Sequence, residues 1–198
     1  HLLYLTKVKI WVFRLSWEFV DLSKPVELNT ERLLLRPIRL RDVIDFFEYS
    51  QDEEWAKYFN PHTLEYCEKF VSNAVMSPWE DSPRFSIVFN EKVIGGMGLY
   101  IQRTDKRAEL GYSLAKEYWG KGFATEAARA VVSWGFNELD LDKIFAHTDG
   151  GNQRSWNVME KLGMTREGIF RSHSLLRGKR RDDVQYGILK EEWETDNK

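Results

Sequence analysis

The sequence contains little that would mark a secreted, metal-binding or nucleic-acid-binding protein. Cys67 is the single cysteine among 198 residues, which excludes an intramolecular disulfide and leaves too little thiol for a cysteine metal site. The 29 lysines and arginines balance 31 acidic residues, and a net charge of −2 gives no general attraction to nucleic acid or to an anionic membrane. No cluster of histidines, cysteines and carboxylates indicates a metal. Because one cysteine is typical of a reducing compartment, we expect a cytoplasmic protein.

Long hydrophobic runs are also missing, even in residues 1–26, which are rich in apolar side chains. Charged residues interrupt this segment, among them Lys7, Lys9, Arg14 and Glu18. A membrane-spanning helix needs about 20 mostly apolar residues, and a signal peptide needs an unbroken core before its cleavage site. We therefore expect no membrane segment here. The alternation of apolar residues indicates an extra strand or a hydrophobic arm packed on the body, with packing on a second subunit of a homodimer as the alternative. The chain begins without Met, so this segment need not be native.

Residues 27–198 are predicted to form one mixed α/β domain. The periodicity predicts strands at residues 31–36, 85–89, 93–100, 108–114, 143–148, 165–173 and 184–189, and helices at residues 42–50, 64–76, 122–139 and 153–162. Asp42 is expected to cap the first of these helices. A basic loop at residues 177–181 is expected to join the last two strands. Since no repeat, low-complexity tract or linker interrupts this pattern, a single domain is indicated.

A glycine-rich turn leads from a predicted strand into the longest predicted helix. Gly120 and Gly122 allow the backbone to approach a ligand closely. The first turn of the following helix offers free N–H groups and the positive end of the helix dipole, which suit a phosphate or pyrophosphate. The turn has neither the Gly-Lys-Ser/Thr of a nucleotide-triphosphate loop nor the GxGxxG of a dinucleotide site. A tight strand-to-helix connection without a ligand explains this turn equally well.

A second polar motif opens the next helix. Asn152 and Ser155 stand three residues apart, so their side chains lie on one side of the first helical turn. Helix capping is the alternative role for both residue types.

Taken together, the two motifs and three further segments have the order found in a known family. These segments are residues 30–37, 108–112 and 181–186. From about residue 27 to residue 193, the chain resembles the GNAT superfamily of acyl-CoA-dependent N-acetyltransferases, and most closely its RimJ/RimL branch of ribosomal-protein N-terminal acetyltransferases. The resemblance implies a GNAT-type central mixed, mostly antiparallel sheet flanked by helices.

The resemblance also implies an activity. It predicts transfer of an acetyl group from acetyl-CoA to a primary amine, either a protein N-terminal α-amine or a small amine, by direct attack in a ternary complex without a metal. The alternative is a CoA-binding regulator or scaffold of the same fold that has lost acyl transfer. By resemblance, specificity is expected to come from the loops around residues 60–79 and from the last hairpin.

The resemblance assigns cofactor contacts to individual residues. Backbone groups of Leu114 are expected to face the pantetheine arm, and Asn152 to hydrogen-bond it. The pyrophosphate is expected to bind the backbone amides of Gly120, Lys121, Gly122, Phe123, Ala124 and Thr125. Trp119 stands where the family has Arg or Gln, which removes a polar side chain but leaves the backbone donors. Ser155 is expected near the thiol, where it protonates or stabilises the departing thiolate.

The acceptor side carries the remaining candidates. Glu109 is the candidate general base, because some members of the superfamily have a catalytic glutamate on this strand. Its alternative role is that of an exposed carboxylate paired with Arg107. His173 and Tyr186 are expected to contact the acceptor substrate. His147 is a further candidate, although a structural role is more common for a single histidine on a strand.

Overall fold

The computed structural model describes residues 11–12, 20–21, 24–59 and 62–196. Within the first 26 residues, Trp11–Val12 (β1) pairs antiparallel with Val20–Asp21 (β2). The rest of the predicted arm up to residue 23 lies outside the described residues, so its packing stays a prediction.

Eight strands form one mixed sheet. They are Leu28–Asn29 (β3), Leu34–Pro37 (β4), Arg84–Phe89 (β5), Lys92–Gln102 (β6), Arg107–Leu114 (β7), Lys143–Asp149 (β8), Thr165–Leu176 (β9) and Lys179–Leu189 (β10). Their order across the sheet is β3-β4-β5-β6-β7-β8-β10-β9. Neighbouring strands run antiparallel except β7 and β8, which are parallel. The predicted mixed, mostly antiparallel sheet is confirmed.

Helices cover both faces of the sheet. They are Val43–Ser50 (α1), Leu64–Met76 (α2), Phe123–Glu138 (α3), Gln153–Lys161 (α4) and Lys190–Asp196 (α5). On one face, Phe46 of α1 and Val71 of α2 pack in one apolar cluster. On the other, Val131 of α3 and Met159 of α4 pack in a larger one. None of the helices in the described part of the chain is long and apolar enough to cross a membrane.

The last hairpin differs from the prediction. The expected basic loop at residues 177–181 is mostly strand, because β9 and β10 are joined by a turn at Arg177 and Gly178, both with positive φ. The basic side chains of Lys179 and Arg180 are exposed, so their charges stay hydrated and do not oppose strand pairing. The short elements β3 and α5 were not predicted, since two to seven residues carry too little periodicity.

Asp42 does not cap α1 as predicted. Its carboxylate accepts hydrogen bonds from the Arg36 guanidinium at 2.7 and 2.8 Å, from the Ser86 hydroxyl at 2.6 Å, and from the backbone N–H of Arg39 at 2.9 Å. The backbone N–H that binds the Asp42 side chain therefore belongs to the turn before α1 and not to α1 itself. Arg36 and Asp42 are both buried; their pair ties β4 to the start of α1, and the hydrogen bond from Ser86 adds β5.

Candidate functional site

A wedge-shaped cleft opens where β7 and β8 part. The two parallel strands pair only from Arg107 opposite Lys143 to Glu109 opposite Phe145. Beyond this point β7 continues to Leu114 and β8 continues to Asp149 without pairing to each other. The resulting cavity has a volume of about 470 Å³. Because the strands have separated, backbone groups along their facing edges are open to a ligand.

The N-terminus of α3 lies at this cleft. Gly120 and Gly122 have φ of +73° and +82°, a region that favours glycine. A Cβ atom on Gly120 would meet nothing within 4 Å, so the backbone there faces open space. The N-cap residue of α3 is Gly122, which has no side chain to cap the first turn. Its uncapped amides and positive dipole end thus point to a site that fits an anionic group such as a pyrophosphate.

An ion pair fixes the outside of the glycine-rich turn. Arg32 donates from Nη1 to the Lys121 carbonyl at 3.0 Å and from Nε to Glu126 Oε2 at 2.6 Å. Glu126 also accepts from the Thr30 hydroxyl at 2.6 Å. Burial raises the pKa of Glu126, but the hydrogen bonds from Thr30 and Arg32 outweigh it and lower the pKa overall. The turn is therefore attached to the segment before β4, on the side away from the cleft.

Trp119 contributes a hydrogen bond in place of the family's Arg or Gln. Its indole Nε1 donates to the carbonyl of Leu114 at 2.7 Å, so one lone pair of that carbonyl is occupied. The guanidinium carbon of Arg154 lies 4.7 Å from the centroid of the Trp119 ring. Arg154 and Lys161 also line the cleft and give it positive charge.

Ser155 and Tyr112 meet across the cleft, one on α4 and the other on β7. The Tyr112 hydroxyl lies 2.8 Å from the Ser155 carbonyl, to which it donates, and 2.9 Å from Ser155 Oγ. Burial raises the pKa of Tyr112 to about 12, although the hydrogen bond with Ser155 opposes this rise. The phenol is therefore protonated at neutral pH. Since Tyr112 has one proton, the Ser155 hydroxyl is left to donate to Tyr112 or to a group in the cleft.

Asn152 has the capping role that was its alternative. Its side-chain oxygen accepts from the backbone N–H of Ser155 at 3.4 Å, and its amide lies 3.3 Å from the Thr148 hydroxyl. It also lines the cleft, so binding of a ligand by Asn152 stays a prediction.

Glu109 and His147 lie together at the point where β7 and β8 separate. Oε1 of Glu109 is 3.3 Å from Nδ1 of His147. Glu109 is paired with Phe145 of β8, so their side chains lie on the same face of the sheet. His147 follows Phe145 by two residues and therefore lies on that face too. Both side chains line the cleft and are partly exposed. A carboxylate beside an imidazole can accept a proton and pass it on.

Most of the predicted site residues line the cleft, and three do not. Both candidate catalytic residues line the cleft, as do the following cofactor candidates: Leu114, Trp119, Gly120, Gly122, Phe123, Ala124, Thr125 and Asn152. Lys121 lies beside it, with its carbonyl bonded to Arg32. Two substrate candidates lie elsewhere. Tyr186 is buried in the core with its hydroxyl 3.1 Å from Glu160, and His173 is exposed on β9 next to Phe170.

Sequence reasoning missed Tyr112 and the segment Trp55–Tyr58 as parts of the cleft wall. Tyr112 was not predicted at the site, because the alternation of residues along β7 cannot reveal that this strand loses its neighbour β8 after Glu109. The Tyr58 hydroxyl donates to the Gly151 carbonyl at 2.9 Å and so joins the two sides of the cleft. No local pattern signals this contact, since 93 residues separate its partners. The described residues contain no group of three or more metal-ligating side chains.

Comparison with known proteins identifies the family. The profile of the acetyltransferase (GNAT) domain matches residues 32–165. The uncharacterized N-acetyltransferase p20 of Bacillus licheniformis is 34% identical over 173 residues, which cover 84% of this chain and 97% of p20. The chain belongs to the GNAT acetyltransferase family. It is an N-acetyltransferase, and the alternative of a regulator without acyl transfer is set aside.

Two further relatives bear on the acetyltransferase. The crystal structure of a GNAT-family acetyltransferase from Bacillus anthracis has a TM-score of 0.75 and 29% identity, covering 84% of this chain and 99% of that one. The Escherichia coli spermidine N(1)-acetyltransferase is 30% identical over 98 residues, which are 50% of this chain and 53% of that protein. The first supports the fold across most of the acetyltransferase, and the second covers only half of it.

Proposed function

We propose that the acetyltransferase binds acetyl-CoA in the wedge between β7 and β8 and transfers its acetyl group directly to a primary amine. The observation that carries the proposal is the coincidence of two features in one cleft. The uncapped first turn of α3, with Gly120 and Gly122, suits the pyrophosphate. The Ser155–Tyr112 hydroxyl pair and the Glu109–His147 pair supply proton donors and acceptors along the same cavity.

The reaction asks for little beyond proton transfer and positioning. Acetyl-CoA supplies an activated thioester. The neutral nitrogen of the acceptor attacks the carbonyl carbon, a C–N bond forms, and the C–S bond breaks as the electron pair leaves with sulfur. Glu109 accepts the proton that the nitrogen loses, directly or through water, and His147, 3.3 Å away, continues the proton route. Ser155 donates a proton or a hydrogen bond to the departing sulfur, and the protonated Tyr112 holds Ser155 in place.

The nature of the amine decides how much a base contributes. An α-amino group has a pKa of about 7.7–8.0 and is partly neutral at pH 7, whereas a lysine-like amine has a pKa of about 10.4. We include both a protein N-terminal α-amine, as in the RimJ/RimL branch, and a small amine. The order of the five motifs supports the branch. The name of the spermidine N(1)-acetyltransferase relative supports a small amine.

Release of free CoA thiol tests the proposal. The full chain is incubated with acetyl-CoA and panels of peptides, amino acids and polyamines, and thiol formation is followed with a thiol reagent. We expect amine-dependent release and a rise in melting temperature with acetyl-CoA but not with NADH or ATP. Absence of both would overturn the proposed donor, and absence of release with every amine would overturn the transfer.

A further inference from the structure

A second, smaller cavity adjoins the cleft on the side of α1 and α2. Its volume is about 200 Å³, and Tyr100, Gly111, Tyr112 and Ser113 line both cavities. Its floor is one face of β5, β6 and β7. Tyr100 of β6 is paired with Glu109 of β7, and Gly98, two residues before Tyr100, is paired with Arg84 of β5. Arg84, Tyr100 and Glu109 therefore lie on the same face of the sheet. A group in this pocket would therefore lie beside the proposed general base. The volume is that of a side chain or a small molecule rather than an extended polymer.

The walls of the pocket are mainly aromatic. Trp55 and Phe59 stack with ring centroids 4.5 Å apart, and the rings of His62 and Tyr66 are 4.2 Å apart. Burial lowers the pKa of His62, which keeps its imidazole neutral near pH 7. Phe70 completes the wall from α2. This lining suits an apolar or aromatic body.

One cation, Arg84, enters this aromatic pocket. Its guanidinium carbon lies 5.0 Å from the centroid of Tyr100 and 5.8 Å from that of Phe70. Its Nε donates to the Ser82 hydroxyl at 3.2 Å. Among the residues that the structure describes, Arg84 has no carboxylate within ion-pairing distance, and neither Asp nor Glu lines the pocket. Contact with the two rings leaves the other N–H groups of the guanidinium as donors. These groups suit a carboxylate, which matches the planar guanidinium in shape and is opposite in charge.

We propose that this pocket binds an acceptor that carries a carboxylate and an apolar body next to its primary amine, as an apolar amino acid does. Arg84 binds the carboxylate, the aromatic walls hold the body, and the amine faces Glu109. A polyamine is disfavoured, because its second ammonium would meet Arg84 where no described acidic side chain is present to offset the repulsion. This inference rests on the proposed function, whose substrate class it names.

The test compares acceptors that differ only in the carboxylate. L-Phenylalanine, L-methionine and L-leucine are each assayed against the corresponding amino alcohol, with spermidine as the polycation. The peptide amides Phe-Asp-NH2 and Phe-Asn-NH2 test whether the carboxylate is supplied by a peptide instead. In at least one pair, we expect kcat/KM for the acceptor with the carboxylate to be about tenfold higher, or more, than for its partner without it. A difference of this size is typical of charge-assisted hydrogen bonds.

Variants assign this preference to Arg84. Arg84→Met should reduce the ratio within the pair to about one by slowing only the carboxylate-bearing acceptor, and Arg84→Lys should keep part of it. Lys69→Met is the control, because Lys69 lies on α2 next to Phe70 in sequence but is exposed and paired with Glu65. It should leave the ratio unchanged. A ratio near one in the unmodified protein, an unchanged ratio in Arg84→Met, or spermidine as the best acceptor would overturn the proposal.

A binding measurement separates this proposal from the proposed activity. Calorimetry with the CoA-saturated protein and the same pairs should show tighter binding of the carboxylate-bearing member, and loss of that difference in Arg84→Met. Equal binding within every pair would overturn the acceptor class even if acetyl transfer to other amines is observed. If the difference in binding is found but no amine releases thiol, the transfer is overturned and the pocket is retained.

Discussion

Nδ1 of His147 lies 3.3 Å from Oε1 of Glu109, and the two side chains come from neighbouring strands at the point where those strands part. Neither strand alone creates this pair. Glu109 is on β7, His147 is on β8, and the short parallel pairing between the strands holds both residues at the inner end of the cleft. The proposed base therefore stands beside a second group that can carry a proton, and its action can be tested apart from cofactor binding.

Replacement of Glu109 by Gln should lower kcat/KM by about 10²-fold or more, the usual effect of removing a positioned base. The acidic limb of the rate profile should disappear or shift, because the group that must be ionised is gone. The loss should be smaller for a terminal α-amine than for a polyamine. Acetyl-CoA binding should be unchanged. Glu65→Gln on the exposed face of α2 is the control. Retention of activity and of pH dependence would make Glu109 structural.

His147→Gln should lower kcat/KM less than Glu109→Gln does, since the carboxylate remains. The double variant should be about as active as Glu109→Gln alone, because two groups on one proton route act as a unit. Steady-state rates of the unmodified protein, the two single variants and the double variant, all with one acceptor, give the coupling energy between Glu109 and His147. Fully additive losses would show that the 3.3 Å contact is not part of the proton route.

Ser155→Ala should lower kcat while leaving KM for acetyl-CoA nearly constant, because the hydroxyl is proposed to act on the departing sulfur. Tyr112→Phe should act in the same direction, since it removes the partner 2.9 Å away. With the pKa of Tyr112 at about 12, neither variant should change the profile between pH 7 and about 9. An effect confined to KM would assign Ser155 to binding or capping.

Gly122→Val should abolish the rise in melting temperature caused by acetyl-CoA. A β-branched residue is strained at a φ of +82°, and its Cβ would lie 3.4 Å from Nη2 of Arg32, so the turn that presents the backbone amides to the pyrophosphate would have to change its conformation. Gly163→Val is the matched control, because Gly163 has the same φ of +82° outside the cleft. It should lose stability but keep the response to acetyl-CoA. An undiminished response in Gly122→Val would move the pyrophosphate site elsewhere.

Asp42→Asn should destabilise the protein by about 3 kcal/mol, because it leaves Arg36 buried without its counter-charge. Burial alone raises the pKa of Asp42, but the hydrogen bonds from Arg36, Ser86 and Arg39 lower it below 3.8 overall. The ionised carboxylate therefore stabilises the fold above pH 3.8, and this contribution is lost as the pH falls through the lowered pKa. Urea unfolding at pH 7 and at pH 3 should show a smaller difference between the two proteins at pH 3. Equal stability at pH 7 would show that the pair contributes nothing.

The sequence alone determined most of the elements and the chemistry of the turn before α3. Periodicity is local, so it marked α2 at its observed bounds and β7 as a strand. Backbone conformation is equally local, and Gly120 and Gly122, which were expected to let a ligand approach the backbone, have the positive φ that glycine permits. The order of the motifs indicated the family.

The tertiary structure alone decided which side chains from different helices and strands meet at the site. The structure shows that β7 separates from β8 after Glu109. It also shows that Glu109 contacts His147, 38 positions away, and that Tyr112 contacts Ser155, 43 positions away. The position of Arg84 between the rings of Phe70 and Tyr100 likewise depends on α2 and β6. Each of these follows from how helices and strands pack, and packing is set by the whole chain rather than by the few neighbouring residues whose pattern a sequence displays.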